Sequence, residues 1–322
     1  MYLSMVVFEE CLAEYHPRMT GHSDLIKIKF MGVQEAMEGQ EYLPDHMLLE
    51  HVEYFVSHPV PAAWGCLCIG EPPEDLFKNN ICLIFPENTD RTSLYHDIQK
   101  IFFLYNSWEM EIRKAMQRNA TLEEMCNLCI PIFEKPIFIH DRNNELLAIA
   151  NEMAGQFSWQ YDETFDKYYL PLEILNTFKS SDEYHKTLHT YGAHVFSAKA
   201  TGYRTLYVNL RIEWVYVGRV CLDEIGTPIR KRDYELLEFF ADNIALAMQQ
   251  GMLLVSDVSN VLSILFKEMI DGKSYTKNQL AKPFSYYKWH IDDMFQCITI
   301  FCRKSDNAIH TCLLYTSDAA DD

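Results

Sequence analysis

Three histidines lie close together at a spacing that could bind a metal ion. His185 and His189 are four residues apart, which would place both imidazoles on one helix face, and His194 follows on the next predicted strand. Imidazoles with nearby carboxylates suit Zn²⁺ or Fe²⁺. Lys186 lies between the first two and would repel a cation, which favours a polar segment with solvated histidines. We therefore predict no metal ligands and no cofactor.

Two closely spaced cysteine pairs could carry out redox chemistry or bind zinc. Cys126 and Cys129 have redox-motif spacing, but they lie in an amphipathic helical pattern, and no second pair supplies the remaining zinc ligands. Cys66 and Cys68 lie on one face of a predicted strand. Ten cysteines in apolar contexts of a 322-residue chain fit buried, reduced thiols better than a disulfide framework. Both pairs are predicted to be small core residues.

The sequence contains none of the common catalytic or phosphate-binding motifs. There is no G-x-x-x-x-G-K-[ST], no G-x-S-x-G and no H-E-x-x-H. A site assembled only by the tertiary fold stays open. We predict no catalytic residues and a protein that is not an enzyme.

The composition is that of a folded, acidic protein. Hydrophobic residues make up 48% of the chain and aromatic residues 13%, which disordered chains do not reach. The net charge of −18 repels phosphate backbones, so no nucleic-acid-binding surface is expected. The first residues lack the basic flank of a signal peptide, and no apolar run approaches the ~18 residues of a membrane span. We predict a cytoplasmic protein without a membrane partner.

The clearest structural signal is a strand that leads into an amphipathic helix. Trp214–Leu222 is β-branched and aromatic, and Gly218 interrupts it. Arg230–Met248 has apolar residues at helical spacing. The stretch resembles the closing strand and last helix of GAF-type small-molecule sensor domains. The matching residues are Gly218, Asp233, Leu236, Leu237 and Ala241.

Residues 118–252 form the predicted GAF-like sensor domain. Thr121 and Glu124 form a capping box, which predicts a helix continuing to Phe133. A hairpin is predicted at 136–150, and an aromatic, acidic insert separates it from the remaining strands. The resemblance implies a mixed sheet that holds a small molecule beneath the loops crossing it.

That resemblance leads to candidate ligand-binding residues on the predicted strands. Arg204 and Arg219 could fork onto a ligand carboxylate or an oxidised purine. Because alternate strand positions point outward, either arginine could instead be a solvated rim residue. The candidates are His194, Arg204, Tyr207, Trp214 and Arg219, with Phe157, Trp159 and Tyr161 as a lid.

Residues 1–117 form a predicted N-terminal α/β domain. Leu25–Phe30, Trp64–Ile69 and Ile81–Phe85 are predicted strands, and a long helix begins at Thr92. Two short stretches carry a further signal: Ile69, Gly70, Pro72 and Pro73, and then Ile98, Gln99, Ile101, Phe102, Tyr105 and Trp108. With these residues the region resembles the N-terminal part of PucR-type bacterial transcription regulators, a group that controls purine catabolism and sugar-diacid use.

Residues 253–311 begin a third predicted unit. Apolar residues from Val258 to Met269 have helical spacing, Gly272 fits a left-handed C-cap, and Phe295–Phe301 is a predicted strand. The PucR resemblance implies a truncated GGDEF-like domain that a helix-turn-helix domain would follow. Residues 312–322 continue no pattern and are interpreted as a non-native tail, with an ordinary acidic C-terminus as the alternative.

The sequence thus predicts a multidomain α+β protein with a GAF-like sensor. The predicted function is ligand sensing in a cytoplasmic PucR-type transcription regulator. Its predicted partners are an unidentified small-molecule effector, a second copy in a homodimer, and DNA only through a domain absent from this chain. The alternative is a stand-alone small-molecule-binding or dimerisation module with no DNA-binding role.

Overall fold

A computed structural model describes residues 1–21, 23–36, 43–163, 166–212 and 215–249, with scattered residues between 265 and 290. The chain divides into two compact units, Met1–Val255 and Ser256–Asp322. The first unit contains two five-stranded sheets. The predicted domain boundaries at 117/118 and 252/253 stay predictions.

The first sheet combines parallel strands with one antiparallel edge strand. Its strand order is β2-β7-β6-β5-β4, in which β4 to β7 run parallel and β2 is antiparallel to β7. Strands β6 and β7 are buried along their whole length, as expected for apolar strands covered on both faces. The strands are β2 (Arg18–Gly21), β4 (Gly32–Glu35), β5 (His46–His51), β6 (Gly65–Ile69) and β7 (Ile81–Phe85); a separate ribbon pairs β1 (Leu3–Ser4) with β3 (Lys29–Phe30).

The prediction of a strand over Leu25–Phe30 was wrong for most of its length. The structure has a tight 3-10 turn at Ser23–Lys27, and only Lys29–Phe30 is a strand. Leu25, Ile26 and Ile28 still pack against the core. A turn buries these side chains as well as a strand would, so the alternating pattern alone could not distinguish the two.

The second sheet has the order β12-β13-β14-β8-β9, and all its pairings are antiparallel. The sequence predicts a mixed sheet here, and this prediction was wrong. After β9 the chain crosses to the opposite edge of the sheet and enters it as β12, so that each strand pairs with a neighbour running in the opposite direction. The predicted hairpin is confirmed. The strands are β8 (Ile137–Asp141), β9 (Leu146–Ala150), β12 (Ala193–Phe196), β13 (Thr205–Ile212) and β14 (Val215–Asp223); β10 (Gln160–Asp162) and β11 (Lys167–Tyr169) form a separate ribbon.

Gly218 allows the two central strands of this sheet to approach closely. It pairs with Asp141 on β8, and a Cβ atom at position 218 would lie 2.3 Å from the carbonyl oxygen of His140. No side chain fits at that distance. The glycine that interrupts the strand pattern therefore sets how β14 and β8 pair.

Helices pack against both sheets and share a hydrophobic core with them. A single hydrophobic core includes residues of both sheets and of α1, α4 and α9. The segment between β9 and β12 forms the β10–β11 ribbon and then the helices α7 and α8. The helices are α1 (Met5–Cys11), α2 (Val52–Ser57), α3 (Glu74–Asn79), α4 (Arg91–Gln117), α5 (Leu122–Asn127), α6 (Ile130–Phe133), α7 (Leu172–Lys179), α8 (Asp182–Thr187) and α9 (Lys231–Gln249).

The capping box that the sequence predicts is present at the start of α5. The Thr121 hydroxyl accepts from the Glu124 backbone N–H at 3.1 Å, and the Glu124 carboxylate accepts from the Thr121 N–H at 3.0 Å. The predicted helix beyond it is divided into α5 and α6. At the start of α9, Asp233 accepts from the Arg230 backbone N–H at 2.9 Å. Asp233 also pairs at 2.9 Å with Lys135, and both side chains are fully buried.

Only part of the predicted third unit lies within the described residues. Gly272 has a φ of +93°, and the Lys273 N–H donates to the Glu268 carbonyl at 2.8 Å, so the predicted glycine C-cap is confirmed. The predicted strand Phe295–Phe301 and the tail at 312–322 lie outside the described residues. Within the described part of the chain, no helix combines the length and apolarity needed to cross a membrane.

Candidate ligand site

A small cavity lies on the outer face of the second sheet, beneath the segment that connects β9 to β12. Its volume is about 40 Å³. One water needs about 10–15 Å³, so the cavity has room for two or three waters or one small ligand group. Its lining residues are Phe138, His140, Phe157, Leu170, Phe178, Tyr184, Phe196, Thr201, Thr205, Tyr207, Arg219 and Cys221.

Alternation along the three central strands directs side chains to the cavity. On β14, Arg219 and Cys221 line the cavity, whereas Val220 and Leu222 between and beyond them lie in the core. The same alternation separates cavity-lining from core residues on β13 and β8. The inner face packs against α9. The sheet therefore connects the cavity wall directly to the helix behind it.

Aromatic residues form the lid over the cavity. Trp159 packs edge-on against Phe138, with ring centroids 5.3 Å apart, and contacts Phe157 at 5.2 Å. On the other side, Phe178 of α7 stacks on Tyr184 of α8 at 4.3 Å. A larger ligand requires this aromatic lid to move outward, because the enclosed volume is so small.

Among the described residues that line the cavity, Arg219 is the one cationic side chain, and it is 4% exposed. Its guanidinium carbon lies 4.7 Å from the Tyr207 ring centroid, 5.3 Å from that of Tyr184 and 5.7 Å from that of Tyr216. Its Nε donates to the Tyr216 hydroxyl at 3.2 Å, and an Nη donates to the Thr187 hydroxyl at 3.1 Å. The guanidinium is held by aromatic faces and neutral hydroxyl groups.

No carboxylate of the described residues lies within 4.0 Å of the Arg219 guanidinium. A buried charge without a counter-charge is costly by several kcal/mol, and aromatic faces offset part of that cost. Arginine cannot relieve the cost by losing its proton. The cavity therefore carries a permanent positive charge that nothing described in the chain neutralises.

His140 lies beside Arg219 and is uncharged. Burial, together with the adjacent Arg219 charge, lowers the pKa of His140 to about 3. Its Nδ1 lies 2.7 Å from the Asp141 carbonyl oxygen, which can only accept, so Nδ1 carries the proton. Nε2 is then the ring's hydrogen-bond acceptor. His140 contributes polarity to the cavity wall without a charge.

Asp223, the last residue of β14, holds Gln156, which precedes the lid residues Phe157 and Trp159. It is fully buried and accepts from the Thr205 hydroxyl at 2.7 Å and from the Gln156 amide at 3.0 Å. Burial raises the pKa of Asp223 to about 6, although hydrogen bonds from Thr205, Gln156 and Tyr203 oppose the rise. The carboxylate thus connects the sheet to Gln156, just before the lid aromatics.

The structure brings two of the five predicted ligand residues to the cavity, Tyr207 and Arg219. His194 is exposed on β12, 6.2 Å from the Tyr207 ring, and does not line the cavity. Arg204 is exposed and pairs with Glu224, its Nε 2.6 Å from a carboxylate oxygen. Trp214 lies outside the described residues.

Of the predicted lid residues, Phe157 lines the cavity and Trp159 packs on the Phe157 ring. Tyr161 is 49% exposed. His140 was missed: alternation places it on the same face of its predicted strand as Phe138, but only the pairing of β8 with β14 puts that face beside Arg219. Phe178 and Tyr184 were missed as well: they lie on α7 and α8, between the predicted strands, and no local pattern shows that these helices fold over the sheet.

A larger open groove of about 680 Å³ lies between α9 and the β13 edge. The acidic side chains Glu238 and Asp242 and the cationic Arg211 line it. Arg211 donates to the Leu188 carbonyl at 2.6 Å and stacks over Tyr191 at 4.8 Å. The groove is wider than the cavity, but none of the charged side chains that the structure describes in its lining is buried, so the cavity is the stronger candidate.

The three closely spaced histidines, for which the sequence predicts no metal ion, lie in α8, just after it and on β12. His185 lies in α8, His189 follows that helix, and the His194 ring donates to the Tyr191 carbonyl at 2.9 Å. Across the ranges that the structure describes, no three His, Cys, Asp or Glu side chains are arranged to hold a metal ion.

Comparisons with known proteins give similarities of fold only. No protein-family model matches the chain, and no curated protein sequence matches it. The GAF domain of the nutrient sensor CodY from Clostridium difficile is 12% identical, with a TM-score of 0.32, over 45% of this chain and 97% of that one. A phycoerythrobilin-bound GAF domain of a cyanobacterial phytochrome is 9% identical, with a TM-score of 0.34, over 45% and 94%.

A third similar structure is that of an enzyme. The type II free methionine-R-sulfoxide reductase from Thermoplasma acidophilum is 16% identical, with a TM-score of 0.25. It aligns over 45% of this chain and 98% of that one.

Proposed function

We propose that this chain is the ligand-sensing part of a cytoplasmic bacterial transcription regulator of the PucR type. A small-molecule effector would bind in the cavity of a GAF-like domain. The observation that supports this most is the buried, uncompensated Arg219 at a cavity enclosed by an aromatic lid. A purely structural sheet face has no need of an uncompensated charge, whereas a binding site uses one to attract and orient its ligand.

The strand order supports transmission of the binding signal to the rest of the unit. Strand β14 carries Arg219, and the chain then continues into α9. The Glu10 carboxylate of α1 accepts from the Lys231 and Arg232 backbone N–H groups at 2.8 and 3.0 Å, at the first turn of α9. Movement of β14 on ligand binding would thus reach α1 through α9. We propose that this shift changes a homodimer and, through a DNA-binding domain outside this chain, transcription.

We also propose that the site binds its ligand without turning it over. Burial raises the pKa of the Cys221 thiol far above its ordinary value, so it is a poor nucleophile. The neighbouring His140 hydrogen bonds a carbonyl rather than a carboxylate. Incubation with esters, phosphoesters and methionine sulfoxide should show no turnover above background. A robust rate that Cys221→Ser abolishes would contradict this proposal.

The regulatory role is tested by deleting the gene in its host and comparing transcripts. We expect a small set of genes to change, and complementation with the wild-type gene to restore them. Complementation with an Arg219→Met variant should not restore the response to effector, whereas Arg204→Met, which alters an exposed arginine, should. Unchanged transcripts in the deletion strain would contradict a role in transcription.

The second candidate is a stand-alone ligand-binding or dimerisation module, which uses the same cavity without DNA. Sequencing of the source locus beyond codon 322 discriminates between the two. A frame that continues into a helix-turn-helix region would support the regulator. A genuine stop codon there would favour the module.

A further inference from the structure

We infer that the cavity beside Arg219 takes a small planar monocarboxylate. This inference rests on the proposed function, because it assumes that the cavity is the effector site. It adds the chemical class of the effector, which the proposed function leaves open.

The charge of the ligand follows from what surrounds the guanidinium. Arg219 has five N–H donors, and the described residues accept from two of them, at the Tyr216 and Thr187 hydroxyls. The remaining donors belong to a cation in a cavity whose described lining residues include no carboxylate. A ligand carboxylate would supply both the missing acceptors and the missing charge, because its two oxygens match the guanidinium fork.

The ligand should carry one negative charge rather than two. Besides Arg219, His140 is the basic side chain that lines the cavity, and it is neutral because its pKa is about 3. Asp223 lies four residues along β14 from Arg219, and its carboxylate accepts hydrogen bonds from Thr205 and Gln156. A dianion such as a phosphomonoester would therefore leave one charge buried without a partner.

Flat aromatic walls select a planar ligand body. Rings of Phe138, Phe178, Phe196, Tyr184 and Tyr207 line the cavity around Arg219. Such rings interact well with a flat π-system in stacked or edge-on geometry. The enclosed volume of about 40 Å³ holds only a carboxylate-sized group, so the ring of the ligand would displace the lid.

The test uses the full chain and three probes that differ at one group. Benzoate carries the carboxylate, benzamide is its neutral counterpart of similar shape, and phenylphosphonate at alkaline pH is a dianion. Titration calorimetry should show benzoate binding about 10- to 100-fold more tightly than benzamide, as expected for charge-assisted hydrogen bonds. Phenylphosphonate should bind more weakly than benzoate.

Variants then assign the selectivity to Arg219. Arg219→Met should abolish the preference for benzoate over benzamide, whereas Arg204→Met, at an exposed arginine, should keep it. The comparison of benzoate with benzamide on the wild-type chain alone tests the inference even if Arg219→Met does not fold.

The outcomes separate this inference from the proposed function. Equal binding of benzoate and benzamide, unaffected by Arg219→Met, would overturn the monocarboxylate while leaving a ligand site in place. Tighter binding of phenylphosphonate would overturn the single charge. Absence of benzoate binding at millimolar concentration would overturn the inference, and the deletion experiment would still decide the regulatory role.

Discussion

Arg219 and His140 are direct cross-strand partners on β14 and β8, and both line the cavity. The positive charge of Arg219, added to burial, helps to keep His140 uncharged. A permanent cation therefore lies beside a neutral acceptor, on a face that an aromatic lid encloses. This pair, rather than any sequence motif, defines the candidate site.

Removal of the Arg219 charge should not destabilise the ligand-free protein. We expect Arg219→Met to leave the free energy of unfolding unchanged or to raise it by about 1 kcal/mol, because a buried charge without a counter-charge is lost. The measurement is urea unfolding of the ligand-free chain. The control Arg204→Met, at an exposed ion pair, should change the free energy of unfolding little, because solvent screens such pairs. A loss of more than about 3 kcal/mol in Arg219→Met would show that the arginine is mainly structural.

His140 should make the wild-type protein sensitive to acid. Its folded pKa of about 3 is below its ordinary 6.5, so its stabilising effect is complete above about pH 6.5 and is lost as pH falls toward 3. The effect amounts to at most about 5 kcal/mol. Replacement by Asn, which can still donate to the Asp141 carbonyl, should remove this dependence. The free energy of unfolding, measured at several pH values, checks it.

Asp223 should have the opposite dependence on pH. Its folded pKa of about 6 is above its ordinary 3.8, so its stabilising effect is complete below about pH 3.8 and is lost as pH rises through 6. In the wild type the two residues oppose each other between about pH 4 and 6. We expect the stability of His140→Asn to fall as pH rises through this window, and that of Asp223→Asn to rise. Identical pH profiles for the two variants would contradict both assignments.

The contact between α1 and α9 should depend on the Glu10 carboxylate. Glu10 accepts from two backbone N–H groups at the start of α9, where negative charge is also favoured by the helix dipole. Glu10→Ala should lower the free energy of unfolding by about 1–2 kcal/mol and speed amide exchange in the first turn of α9. The control Glu9→Ala loses a 3.7 Å pair with the exposed Lys231 and should have a smaller effect. Equal effects of the two variants would argue against the capping role of Glu10.

Gly218 should tolerate no side chain. A Cβ at this position would lie 2.3 Å from a backbone oxygen of β8, which cannot move without separating the strands. Gly218→Ala should cost more than about 3 kcal/mol, measured by thermal unfolding. Gly202→Ala is the control: its φ of +87° is strained for alanine, but no atom lies within 4 Å, so a loss of about 1 kcal/mol is expected. A mild effect at Gly218 would contradict the close strand approach.

The sequence by itself determined the local elements whose signals lie in neighbouring residues. The capping box of Thr121 and Glu124 and the glycine C-cap at Gly272 were predicted at the correct positions. The buried strands β6 and β7 were also predicted, as was the order in which strand β14 is followed by helix α9. Each depends on hydrogen bonds or periodicity within a few residues, so no distant partner is needed to recognise it.

The tertiary structure alone decided which polar residues share a site. Strand alternation allowed either arginine to face the ligand, but the pairing of β14 with β8 and the position of the core placed Arg219 inside and Arg204 outside. His140 became part of the site because a strand distant in sequence lies beside β14. Tyr184 entered it because the long excursion between β9 and β12 folds back over the sheet. Register and packing are set by contacts between distant segments, and no local pattern encodes them.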